Sequence, residues 1–141
     1  MMRLKVGRED TWAASIEDKP GGLSAKLNAL ANAGVNLEFI IARREPAQPG
    51  TGVVFVTPIK GAAGARAARQ AGFAKSESLH AVRIEGSDRP GQGAKITQAL
   101  ADAGINLRGL SAAALGKKFV AHVALDSAVD AGQAMRVLRA L

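Results

Sequence analysis

Asp18-Lys19-Pro20-Gly21-Gly22-Leu23 is answered 70 residues later by Asp88-Arg89-Pro90-Gly91-Gln92-Gly93. At the same offset, Ala29-Leu30-Ala31-Asn32-Ala33-Gly34-Val35-Asn36-Leu37 lies over Ala99-Leu100-Ala101-Asp102-Ala103-Gly104-Ile105-Asn106-Leu107. The two stretches run without a gap and most of their residues are identical or conservative, so the chain carries an internal duplication. Upstream the match continues once Gly86-Ser87 is treated as an insertion, and Trp12–Glu17 then lies over His80–Glu85. Alternation places Trp12, Ala14 and Ile16 on one face of a strand, with His80, Val82 and Ile84 as their counterparts.

Each copy therefore opens as strand, turn, helix. Asp18 is placed to cap the helix by accepting from the amide of Gly21. Pro20 suits the first turn, where its missing N–H is not needed. Leu23, Leu27 and Leu30 form a helical stripe in the first copy; Ile96, Ala99, Leu100 and Ala103 form one in the second. Gly34 and Gly104 end the helices. Strands follow at Asn36–Ala42 and Asn106–Ala112, and third strands at Val53–Thr57 and Phe119–Leu125. Second helices are expected over Gly64–Ala71 and Ala128–Leu138, and a fourth strand over Ala74–Leu79 in the first copy alone.

The order βαββαβ predicts an α+β, ferredoxin-like fold, an antiparallel sheet with helices on one face. The expected modules are residues 1–78, with an extra N-terminal strand at 3–8, and residues 79–141, without a final strand of their own. The segment Arg3–Arg8 alternates Leu4 and Val6 with basic residues and is expected to fill the vacant place or lengthen a shared sheet.

Bulk properties narrow the function classes. The 141 residues suffice for one ordinary domain or two very small ones. Without cysteine there is neither a disulfide framework nor a thiolate metal site. No apolar run approaches the roughly 18 residues of a membrane span. The basic N-terminus has no apolar core behind it, which argues against a signal peptide and makes the cytoplasm the expected location. The net charge of +7 is scattered, with no basic run longer than two, and reads as a solvated surface.

Asp-x-Pro-Gly at a strand-to-helix turn, with Gly-hydrophobic-Asn-hydrophobic after the helix, resembles the ACT domain, a module that regulates amino-acid metabolism. The resemblance spans residues 11–138. It implies two modules side by side in one continuous sheet, with a free amino acid bound between the loop of one and the second strand of the other. Carried onto this sequence, it implicates Asp18, Pro20, Gly21, Gly22 and Leu23 with Asn106. The mirror site uses Asp88, Pro90, Gly91, Gln92 and Gly93 with Asn36. It further implies a non-catalytic regulatory protein without cofactor or metal, acting through a protein partner, with a homodimer compatible.

The residue types suit that role. A helix N-terminus offers free N–H groups and about half a positive charge to a carboxylate. An Asn amide can accept from an ammonium and donate to a carboxylate, and Asp supplies a counter-charge. Plainer readings stand beside these: the aspartates as caps, the glycines as turn formers, the asparagines as loop residues. The copies also differ, with Leu23 against Gly93 and Glu38 against Arg108, so two equivalent sites are not expected. The Gly21-Gly22 loop is the favoured one.

Two other classes are disfavoured. RNA-binding ferredoxin-like folds stack bases on paired strand aromatics, whereas here Trp12, Phe55 and Phe119 are scattered and Tyr is absent. Catalysis lacks a nucleophile motif or metal-ligand spacing, and His80 and His122 sit in apolar strand contexts that read as structural. A ligand-free adaptor, regulating a partner by contact, is the alternative that the sequence does not separate from an amino-acid sensor. Phe39-Ile40-Ile41 in a row predicts a strand partly buried on both faces.

Overall fold

The structure, a computed structural model, describes residues 3–141; Met1 and Met2 lie outside the described residues. The chain forms β1 (Lys5–Glu9), β2 (Trp12–Glu17), α1 (Gly22–Asn32), β3 (Phe39–Arg44), β4 (Thr51–Thr57) and α2 (Gly61–Gln70). There follow β5 (Ala74–Lys75), β6 (His80–Ser87), α3 (Gln92–Asp102), β7 (Leu107–Leu115), β8 (Lys118–Leu125) and α4 (Ala128–Arg139). The strands form two four-stranded antiparallel sheets, ordered β3-β4-β2-β5 and β1-β6-β8-β7, where the sequence reading had joined them in one. Their ladders run within each sheet, Trp12–Glu17 against Thr51–Thr57 in one and His80–Ser87 against Lys118–Leu125 in the other.

Contacts divide the chain into a unit of Asp10–Ser76 and a unit made of the N-terminal segment through Glu9 together with Glu77–Leu141. The first-numbered strand thus belongs with the C-terminal module. β1 runs antiparallel to β6, with Val6 opposite Ile84 and Glu9 opposite Ala81. Its place beside the first strand of that module is the place β5 takes beside β2 in the other. Three contacts seat it. Val6 is 8% exposed within the second core, Arg139 donates to the Val6 carbonyl at 3.0 Å, and Glu9 meets His122 Nδ1 at 2.6 Å.

Each sheet buries one face beneath its own two helices' apolar stripes. In the Asp10–Ser76 unit, Trp12, Ala14, Val54 and Val56 meet Leu30, Ala68 and Phe73, with Leu23 and Leu27 partly buried against them. In the other, Val82, Ile84, Ala121 and Val123 meet Ile96, Leu100, Ala134 and Leu138. The stripe residues at three- and four-residue spacing are the ones that reach the core, as the helical period requires. α4 is the helix with a side-chain cap: Ser127 Oγ accepts from the Asp130 amide at 3.0 Å.

Several elements differ from expectation. β5 ends at Lys75 rather than 79, because its partner β2 begins at Trp12, opposite Lys75; one further bond, from Ser76 N to Thr11 O at 2.8 Å, closes the pairing. β3 begins at Phe39 rather than Asn36, since its ladder starts where β4 ends, Phe39 opposite Thr57. Ile40 and Ile41 are 45% and 39% exposed, not buried, because β3 is an edge strand. The Gly86-Ser87 insertion lengthens the strand itself, so β6 has eight residues where β2 has six.

Candidate functional site

Each duplicated motif builds a tight loop that delivers the chain from a central strand into a helix. In the first, Asp18 N donates to Gly50 O at 3.0 Å, tying the loop to the β3–β4 turn, and Gly22 N donates to Lys19 O at 3.0 Å. In the second, Asp88 N donates to Lys117 O at 2.8 Å, and Gln92 N to Arg89 O at 3.2 Å. The residue before each helix is in the left-handed region, Gly21 at φ 86° and Gly91 at φ 79°. A side chain there would be strained, which explains the glycine at both positions.

The N-cap of α1 is therefore Gly21 and that of α3 is Gly91, with no side-chain cap bond in either case. This corrects the expectation that Asp18 caps its helix through the Gly21 amide. The Asp18 carboxylate instead accepts from Arg44 Nε at 2.9 Å, an ion pair to the end of β3. Glu17 and Lys19 pair beside it at 2.6 Å; the bond lowers the Glu17 pKa and raises that of Lys19. Asp88 has no such partner among the described residues.

Uncapped first turns leave backbone donors open. The amides of Leu23 and Ser24, and of Gly93 and Ala94, have no acceptor among the described residues. Free donors at the positive end of a helix form a seat for an anionic group.

The two loops are built differently at the first helical residue. A Cβ on Gly22 would stand 2.1 Å from the Glu17 carbonyl oxygen, so this position must be glycine. In the second loop the roles are exchanged. Gln92 carries the side chain and strand residue Gly86 makes the room, with Gln92 Nε2 3.2 Å from where a Gly86 Cβ would be. Gln92 is 6% exposed. Leu23 leans on the first core, whereas the space over Gly93 is open.

Of the implicated residues, Asp18, Pro20 and Gly21 lie in the first turn-forming loop, with Gly22 and Leu23 starting α1; Asp88, Pro90, Gly91, Gln92 and Gly93 repeat this at α3. Asn36 and Asn106 do not join the loops of their own units. Each follows the far end of an 11-residue helix, about 16 Å along its axis from the loop. Both are exposed. Arg44 was missed by the sequence reading, because its approach to Asp18 depends on the β3–β4 register that sets Arg44 opposite Gly52. Among the described residues no cluster of three or more His, Cys, Asp or Glu is arranged to hold a metal ion, and no helix is long and apolar enough to cross a membrane.

The family model of the ACT domain matches residues 80–141, a stretch that holds the second loop and both helices of its unit. Residues 80–141 carry an ACT domain. No curated protein matches it. A solved Bacteroides thetaiotaomicron protein is similar over 96% of this chain and 89% of its own, at 21% identity and a TM-score of 0.77. The regulatory subunit of aspartate kinase from Thermus thermophilus, in its ligand-free form, is similar over 97% of this chain and 95% of its own, at 21% identity and a TM-score of 0.66. E. coli aspartokinase III in complex with lysine and aspartate is similar over 99% of this chain but 32% of its own, at 15% identity and a TM-score of 0.56. At these identities the likeness establishes a shared fold, and it extends across both units of the chain.

Proposed function

We propose that this protein binds a free amino acid at an Asp-x-Pro-Gly strand-to-helix loop and regulates a partner protein rather than catalysing a reaction. The observation that carries the reading is the uncapped first turn at each Asp-x-Pro-Gly loop, where two backbone amides stand open at the positive end of a helix. A ligand carboxylate satisfies those amides, and its ammonium meets the loop aspartate. The residues of this reading are Asp18, Pro20, Gly21, Gly22 and Leu23 in the first loop and Asp88, Pro90, Gly91, Gln92 and Gly93 in the second. Ligand then stabilises one arrangement of the protein over another, and a partner reads the difference. The protein acts in the cytoplasm.

The test is a thermal-shift screen of the purified chain against the common L-amino acids. Excess ligand at a hundred times its dissociation constant adds about 2.7 kcal/mol of stability. One amino acid raising the midpoint while its chemical relatives do not supports the reading. A second reading, a ligand-free adaptor, is favoured by the apolar residues exposed on the edge strands: Ile40 at 45%, Leu110 at 44% and Leu115 at 83%. An absence of any shift in the screen selects it.

A further inference from the structure

We infer that binding is one-sided: the loop Asp88–Gly93 takes the amino acid, and the loop Asp18–Leu23 is closed to it. This rests on the amino-acid-binding reading and reverses the sequence-based preference for the Gly21-Gly22 loop.

The first observation is the carboxylates. An ammonium entering the first loop must displace Arg44, whose Nε already lies 2.9 Å from Asp18 Oδ2. The position equivalent to Arg44 in the second unit, at the same offset of 70, is Ala114, which offers no cation. Asp88 accordingly has no ion-pair or hydrogen-bond partner for its side chain among the described residues, and water is its only competitor for an incoming ammonium.

The second observation is independent of charge. Gln92, at 6% exposed, is one of three buried polar side chains among the described residues, and no described residue hydrogen-bonds its carboxamide. That group lies between the two stems of the loop, the end of β6 at Gly86 and the start of α3. A buried carboxamide without partners is costly unless something else satisfies it. Unlike the unpartnered Nε of Arg83, its polar atoms are not wholly closed to the outside. The first loop has Gly22 at this position, packed against the Glu17 carbonyl, and offers neither a side chain nor room for one.

Asp88 thus holds the ammonium, the Gly93 and Ala94 amides hold the carboxylate, and Gln92 favours a ligand whose side chain can hydrogen-bond. The open space over Gly93, where the first loop carries Leu23, admits that side chain.

The experiment uses the full chain and the common L-amino acids as probes, one at a time, by thermal shift and then by calorimetry. The expected result is one amino acid bound per chain, with a polar side chain. Asp88→Asn should weaken it by about tenfold or more, as the loss of a charge-assisted bond predicts, and Asp18→Asn by far less. Gln92→Ala should weaken binding of that amino acid while narrowing the difference from its aliphatic counterpart. Asp88 is exposed, so the Asn variant should keep the wild-type circular dichroism, which is checked alongside. If Asp18→Asn abolishes binding and Asp88→Asn does not, the one-sided assignment is overturned while the amino-acid-binding function stands. If no amino acid binds the wild type, both fall.

Discussion

Replacing Val6 by Ala should loosen the C-terminal module, although Val6 lies more than seventy residues before that module's first strand. Val6 is 8% exposed and belongs to the core that holds Val82, Ile84 and Leu138. Removing two buried methyl groups costs about 1.6 kcal/mol in transfer free energy, and the unfilled space brings the total to about 2 kcal/mol. Hydrogen exchange followed by mass spectrometry reads the effect by segment. In the regime where exchange tracks the opening equilibrium, 2 kcal/mol accelerates the best-protected amides of β6 and β8 about 30-fold. Arg8→Ala, at an exposed position of the same strand, should change little. If Val6→Ala leaves β6 and β8 protected, or deprotects β2 and β4 instead, then β1 does not complete the second sheet and the grouping of residues 3–9 with 77–141 is wrong.

Other substitutions test other parts of the account. Gly22→Ala forces a Cβ to within 2.1 Å of a backbone oxygen and should cost about 2 kcal/mol or more by chemical denaturation, whereas Gly93→Ala, with open space, should stay within about 0.5 kcal/mol. The Glu85 carboxyl is held down to about 2, chiefly by the hydrogen bond from Lys118 at 2.7 Å and then by Arg83 at 2.8 Å. Because its folded pKa lies below the unfolded 4.5, its contribution is complete above pH 4.5 and is lost as the pH falls through about 2. Glu85→Gln should therefore flatten the decline of the melting midpoint across that window, as followed by far-ultraviolet circular dichroism. Arg69 stands 5.5 Å from the centre of the Trp12 ring; Arg69→Ala should cost about 0.5–1 kcal/mol and shift the emission of this sole tryptophan.

The duplication made most of the fold legible. Constant spacing between Asp18 and Asp88, and between Gly34 and Gly104, fixed two helices and the strands before them, and alternation identified which residues of β2 and β6 face the core. The absent fourth strand and the alternation of Leu4 and Val6 left β1 either to fill the vacant place or to lengthen a shared sheet, and the structure pairs it with β6. What escaped was whatever depends on register between distant strands. Arg44 reaches Asp18 across 26 positions and His122 reaches Glu9 across 113. His122 was read as structural from its apolar neighbours, without the partner that fastens β1. The exchange of glycine between Gly22 and Gly86 was likewise hidden, because local pattern shows a loop's residue types but not which side of it must yield space. Asp18 looked like a cap because Asp before Pro-Gly usually is one. The left-handed Gly21 takes the cap position and turns the carboxylate loose to find Arg44.

The central claim is that an uncapped strand-to-helix loop receives a free amino acid, and calorimetric titration of the full chain with the amino acid selected by the screen tests it most directly. The account predicts saturable binding of the L-form that disappears when either the carboxylate or the ammonium of the ligand is blocked, since the open amides and the loop aspartate need both charges. Heat from every amino acid alike, or from none, would contradict it.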